Sequence, residues 1–358
     1  MTGFVYESLP ARVVFGWGTS SRAAAEVAAL GSSRALVLST PGQRGGAERV
    51  AAGLGRACAG VFSEAAMHTP VAVTGRALAE VGRLSADAVV AVGGGSAIGL
   101  GKAIALRADL PQVVVPTTYA GSEMTPVLGE TVAEEKTIQR TLKVLPETVL
   151  YDVELTLSLP AAVSAASGVN AMAHAAEALY AANANPVTAL LAAESVRLLA
   201  SALPAIAADP GDAAARAAAL RGAWLAGTCL ATAGMALHHH VCHILGGAFG
   251  LPHAATHAVM LPHVIAYNAT AAPEAMTTLA RALGQRDATD GLDRLLTRLG
   301  LVRSLAELGM PEAGIEHAAR LAVLRPCRNP ADVDYGRLRG MLAAAWAGEP
   351  PGSAREIA

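Results

Sequence analysis

At 358 residues the chain is long enough for two domains or one large one, and 53% hydrophobic against 16% charged residues leaves ample material for a core. Its 27 basic and 29 acidic side chains give a formal charge of −2 with no basic stripe, which argues against a nucleic-acid partner. Apolar runs are broken by Gly, Pro and charge, and the N-terminus lacks a basic region ahead of an unbroken apolar core, so neither a membrane span nor a secretory signal is expected.

In chain order, residues 34–39 (RALVLS), 87–95 (DAVVAVGGG), 111–118 (PQVVVPTT) and 147–152 (ETVLYD) are short, rich in Val and Leu, and bounded by Gly or Pro. Runs apolar on both faces predict strands of a parallel sheet covered by helices. SRAAAEVAAL and AVTGRALAEVGRL, between them, have helical spacing, so this part predicts a βαβ series and an α/β layer fold. From Leu159 and Pro160 onward the strand signals fade. NPVTALLAAESVRLLASALPAI and AARAAALRGAWLAGTCLATAGM predict long helices, with Pro160 suited to a first helical turn. The boundary falls near 158–160, giving an α/β domain over 1–158 and an all-helical domain over 159–358 whose GEPPGSAREIA tail is expected to fray.

AVVAVGGGSAIGLGKAIAL runs from a strand into a helix. Gly93, Gly94 and Gly95 let backbone N–H groups approach an anion, and the helix from Ser96 adds its positive end, which is what holding a pyrophosphate requires. The same glycines suit a tight turn with no ligand, and neither GxGxxG nor GxxxxGK[ST] is present. A second polar loop, VVVPTTYAGSEMT, sets Thr117, Thr118, Gly121, Ser122 and Thr125 after the next strand, at the end where open parallel sheets bind ligands.

Five of the ten histidines fall within residues 237–253, LHHHVCHILGGAFGLPH. Asn170 and His174 are four apart in a helical stretch, as are His239 and His243, so each pair shares a face; His253, after a Pro, is expected to open another helix. Two such pairs and one later His are how a pocket is built between helices. A lone His on an apolar helix is more often a satisfied core residue, and His68, His263 and His317 are read that way. His238 and His240 flank the cluster and cannot both face with His239. For His174, His239, His243 and His253 together a purely structural role is harder to sustain, because several buried imidazoles must be kept neutral or paired. Cys58, Cys229, Cys242 and Cys327 are scattered with no CxxC pair; they predict neither a disulfide framework nor a thiolate zinc site and suit a reduced, cytoplasmic setting.

The chain resembles the iron-containing (group III) alcohol dehydrogenase superfamily, and within it the maleylacetate reductase branch. The resemblance rests on GGGSAIGLGKAIAL, PTTYAGSEMTP, YDVELTLSLP, SGVNAMAHAAEALY, HHVCHILGGAFGLPHAATHAVMLPH and RNP at 328–330, in that order. It implies a Rossmann-like NAD(P)-binding domain and a helical domain with the active site in the cleft between them, the dehydroquinate-synthase-like architecture. By the same resemblance Gly93, Gly94, Gly95 and Ser96 would hold the pyrophosphate, Thr117, Thr118 and Leu157 would line the adenine and ribose pocket, and Ser122 would sit near the nicotinamide. The metal positions of alcohol-oxidising relatives fall on Asn170, His174, His239 and His253, and the proton-handling His on His243. A homodimer is what the family suggests.

Two departures bear on the chemistry. Metal-binding relatives carry Asp where this chain has Asn170, and the Asp of GGGSxxDxxK is Gly99 here. Losing the carboxylate leaves neutral ligands, so the metal is expected to be absent or weakly bound. Thr40 stands where an acidic residue often selects NAD, so NADH and NADPH both remain open. The expected activity is reduction of the C=C bond of maleylacetate, a small dicarboxylate, to 3-oxoadipate in aromatic-compound degradation. His243 would be the acid, with His253 a donor or second acid, and Asn170, His174, His239, His253 and Tyr119 would be on the substrate side. Arg328 and Lys102 are candidate carboxylate partners. The rival readings are a metal-dependent alcohol dehydrogenase, a lyase of the dehydroquinate-synthase type and a non-catalytic dinucleotide-binding protein.

Overall fold

The computed structural model describes residues 4–132 and 135–353. Its chain falls into two compact units, one spanning Ser8–Leu159 and the other Pro160 onward together with the segment up to Glu7. The expected fraying tail lies partly outside the described residues.

The first unit runs β1 (Arg12–Gly16), α1 (Ala23–Ala29), β2 (Ala35–Leu38), α2 (Arg44–Leu54), β3 (Cys58–Phe62), α3 (Val71–Leu84), β4 (Ala88–Gly93), α4 (Gly95–Ala108), β5 (Gln112–Pro116), β6 (Val127–Val132), β7 (Glu135–Arg140) and β8 (Thr148–Asp152). Six strands form a parallel sheet in the order β1-β8-β5-β4-β2-β3, and β6 and β7 make a separate antiparallel hairpin. The central strands β2, β4, β5 and β8 are buried along their whole length. Val and Leu on both of their faces therefore meet helices, as a covered parallel sheet requires. One side packs Val37, Val90, Val92 and Val115 against Val27, Val50 and Leu54; the other packs Leu36, Leu38 and Val89 against Val73, Ala77, Val81, Leu100 and Ile104. Asp152, at the end of β8, accepts from Gly18 N and Ser20 N, each at 2.9 Å, and so ties the turn after β1 to the sheet.

The second unit is helical throughout its described elements: α5 (Ala161–Ala178), α6 (Pro186–Ala208), α7 (Ala213–Ala233), α8 (Leu237–Phe249), α9 (His253–Asn268), α10 (Pro273–Ala282), α11 (Ala288–Arg298), α12 (Gly314–Leu324) and α13 (Tyr335–Ala347). Pro160 stands at the N-cap of α5. α6 is long and apolar enough to cross a membrane, yet half of its apolar window is buried, and it packs on α5 and α7. A capping box starts it, Asn185 Oδ1 accepting from Thr188 N at 3.1 Å while Thr188 Oγ1 accepts from Asn185 N at 3.1 Å. α5 is buried almost all round between α6, α7 and α9, so its polar residues sit in the interior.

Candidate active site

In the first unit the residues expected to hold a coenzyme gather at the carboxyl edge of the sheet. Thr40 follows β2, Gly93–Gly95 link β4 to α4 with Ser96 in the first turn, Thr117 and Thr118 follow β5, and exposed Leu157 lies beyond β8. β2 is followed outward by β3 and β4 is followed on its other side by β5, so the strand order reverses between β2 and β4. Open α/β sheets bind ligands at that switch point. Gly93 has φ 146°, and a Cβ there would stand 2.5 Å from Gln43 Oε1; a Cβ on Gly94 would stand 2.9 Å from Thr118 Oγ1. Among the described residues nothing lies within 4 Å of a Cβ on Gly95 and no side chain caps α4. The first N–H groups of α4 are thus open to an anion, and the turn fits a dinucleotide pyrophosphate. Gln43, which carried no sequence signal, joins two of these loops by donating from Nε2 to Thr117 Oγ1 at 2.7 Å.

Two expectations for this unit change. Lys102 is not available to a substrate. It is buried, and its ammonium donates to the carbonyl oxygens of Ser122, Thr125 and Val127 at 2.6, 2.7 and 2.9 Å. Burial, partly countered by Glu123, pushes this group down to about 7, while the three acceptor-only carbonyls call for donors and favour the ammonium. Tyr119 has no exposed surface and serves packing rather than substrate contact. Ser122 keeps a buried Oγ without a hydrogen-bond partner among the described residues, so its hydroxyl remains open to a ligand. Gly99 abuts Thr69 Oγ1, which leaves no room for the Asp of the GGGSxxDxxK pattern.

The second unit assembles the imidazoles. α5 presents Asn170, His174 and Glu177 on one face at i, i+4 and i+7, all buried. α8 brings His238, His239, Cys242 and His243; α9 opens on His253 and adds His257 one turn later. The His174 and His239 rings stack with centroids 4.9 Å apart, His239 meets His243 at 6.1 Å, and His253 meets His243 at 6.2 Å and His257 at 4.3 Å. Glu177 organises the group: it pairs with His239 Nδ1 and accepts from His238 N at 2.7 Å. Burial alone would push its carboxyl up, but His239, His238 and the backbone outweigh that and hold it below its usual value. With Nδ1 committed, His239 presents Nε2, and that atom, Asn170 Oδ1 and His174 Nδ1 are buried with no hydrogen-bond partner among the described residues.

A second layer lies behind. His238 Nε2 and His257 Nδ1 share a hydrogen bond of 2.9 Å beside Cys242 Sγ, the three ligand atoms lying within 4.8 Å of one another. Burial pushes His238 down to about 3 and His257 well below its ordinary value, and pushes the Cys242 thiol up, so the trio is neutral. Burial, reinforced by His239, also lowers His174. His174, His238 and His257 are therefore uncharged, and His238 is part of the cluster rather than a bystander. His240 turns away, its Nε2 3.0 Å from Ala322 O. Of the histidines read as core, His263 is buried, whereas His68 and His317 are exposed.

Two sequence-family models cover the chain, "Iron-containing alcohol dehydrogenase" over residues 10–153 and "Fe-containing alcohol dehydrogenase family, C-terminal" over residues 164–346. The chain belongs to the iron-containing alcohol dehydrogenase family. It is 54% identical to a maleylacetate reductase of Sphingobium indicum over 97% of this chain and 99% of that one. Against a maleylacetate reductase of a Rhizobium species the identity is 53%, covering 98% and 100%. The crystal structure of a maleylacetate reductase from Agrobacterium tumefaciens superposes with a TM-score of 0.95 at 52% identity, covering 98% of this chain and 100% of that one.

The family implies iron, and the residues present fit it poorly. Asn170, His174, His239 and His253 offer one neutral amide and three imidazoles, while the nearest buried carboxylate, Glu177, is committed to two donors. A divalent cation would enter a buried space with no anionic ligand. Glu177 and His257 are members of this iron-containing alcohol dehydrogenase site that sequence reasoning missed; same-face spacing from His174 and His253 was the signal for both.

Proposed function

We propose that this protein reduces the C=C bond of maleylacetate to 3-oxoadipate with NADH or NADPH, in the breakdown of aromatic compounds, and does so without a resident metal. The observation that carries the reading is the neutral amide of Asn170, buried beside His174 and His239, where a metal site needs a charged ligand. The identity to named maleylacetate reductases over nearly the whole chain supports the substrate. The four free cysteines suit a reducing compartment such as the cytoplasm, and a homodimer is part of the proposal on family grounds.

Bound nicotinamide coenzyme supplies the hydride, which reaches the alkene carbon beside the carboxylate. Negative charge then develops on the ketone oxygen. An amide can turn Nδ2–H toward that oxygen, which a carboxylate cannot do, so Asn170 trades cation binding for oxyanion stabilisation, with His174 and His239 beside it. His243 is half-buried, unlike its fully buried neighbours, and lines a cavity, so it can take a proton from water and give it to the other alkene carbon. His253, exposed at the start of α9, is the alternate donor.

The test is coenzyme oxidation with maleylacetate after exhaustive chelation. Turnover that survives supports the proposal. A large loss restored by iron or zinc makes the protein a metal-dependent enzyme, and turnover of simple alcohols with no action on maleylacetate makes it an alcohol dehydrogenase.

A further inference from the structure

His239 and His243 line a cavity of about 350 Å³ within the second unit, floored by Gly234 and Met235 and closed on one side by Cys327 and Arg328. Its lining includes no acidic side chain, and Arg328 is the one lining residue with a permanent charge. Four other arginines of this unit are committed: Arg216 Nη1 donates to Ser164 Oγ at 2.7 Å, Arg303 pairs with Asp293, Arg320 pairs with Glu316 at 2.8 Å, and Arg337 lies over the Tyr267 ring at 4.2 Å. The guanidinium of Arg328 is exposed and makes no ion pair among the described residues. The coil carrying it is held in place, because Asn329 and Asn268 of α9 exchange side-chain hydrogen bonds of 2.6 and 3.0 Å.

A dianionic substrate needs positive charge, and on the lining that His239 and His243 share it is Arg328 that carries it permanently. The guanidinium is always charged and its planar fork matches a carboxylate. We infer that Arg328 anchors the carboxylate on the acetate arm of maleylacetate. This rests on the activity proposed above. The alkene carboxylate is bonded to the carbon that receives hydride and must turn toward the nicotinamide. The acetate arm leaves the ketone in the opposite direction, so with the ketone oxygen at the histidines it is this arm that enters the cavity.

The experiment compares maleylacetate with 4-oxopent-2-enoate, which keeps the enone and the alkene carboxylate and lacks the second. Arg328→Gln is expected to raise KM for maleylacetate about 10- to 100-fold, as for the loss of a charge-assisted hydrogen bond, with kcat within about threefold. It should leave kcat/KM for 4-oxopent-2-enoate unchanged, and Arg328→Lys should recover part of the loss. Arg325→Gln, an exposed neighbour that does not line the cavity, should keep wild-type kinetics. If the analogue turns over too slowly, the same contrast is read as inhibition by 3-oxoadipate against levulinate. Equal losses with both ligands, or none with either, overturn the anchor while leaving the reductase reading intact. A wild-type protein inert toward maleylacetate overturns that reading, and the anchor with it.

Discussion

His243 has both an exposed edge and a cavity to face, and a proton donor needs the two together; His240 shares that cavity, but its Nε2 is taken up by Ala322 O. His243→Ala should therefore cut kcat by about 10²- to 10⁴-fold, the usual scale for a positioned acid, with little change in the melting temperature. Unchanged turnover would clear it of the role and pass it to His253. The i,i+4 spacing that revealed His239 and His243 in the sequence reflects real proximity. The same rule applied at i+3 from His174 and i+4 from His253 reaches Glu177 and His257. Glu177 was overlooked because a single Glu on an Ala-rich helix reads as a solvated residue until the helix is known to be buried all round. The charge state of the cluster was not legible either. Spacing brings the imidazoles together but does not set their charge, whereas desolvation, which depends on burial, makes His174, His238 and His257 neutral.

At the scale of elements, α4 has two tasks: its N-terminus carries the anion site, and two turns further on Lys102 clamps the segment 122–127 through three carbonyls and Thr125 Oγ1 at 3.0 Å. Lys102→Met would fill the volume and strand those oxygens. It should cost about 3 kcal/mol or more of stability in urea, with a raised KM for coenzyme because Ser122 lies in the released segment. If Lys102 instead held a substrate carboxylate, the variant would keep its stability and lose maleylacetate affinity alone. The strands show where sequence patterning reaches and where it stops. β2, β4, β5 and β8 are apolar on both faces because they are central, and those four were recognisable. β1 and β3 are the sheet edges, only partly buried, and β3 carries Gly60, so neither shows the double-faced signal. The hairpin β6–β7 pairs VLGETV with EKTIQR, and neither segment is a run of Val and Leu that would announce a strand.

For the whole molecule, the buried imidazoles set an acid limit on stability. His174 and His257 are lowered well below the ordinary value, His238 to about 3 and His263 to about 4, burial being the leading cause in each. Each is neutral in the folded chain, while the unfolded chain takes up a proton below about pH 6.5, so the unfolded state binds more protons. Stability is thus complete above pH 6.5 and falls as pH drops toward the folded values; for His263 alone the window from 6.5 to about 4 amounts to roughly 3 kcal/mol. Glu177, held below its usual value, adds to the loss only in more acidic solution, and Lys102 is charged in both states throughout this range. Glu123, raised by burial, works in the opposite sense, but it is one group against four. The urea midpoint should therefore slide between pH 6.5 and 5, before carboxylates titrate. His263→Leu, outside the candidate site, should remove up to one proton from that slope, about 1.4 kcal/mol per pH unit. A midpoint that stays level from pH 7 to 5 would mean that these imidazoles are already charged in the folded protein, and the neutral state assigned to His174, His238 and His257 would have to be given up.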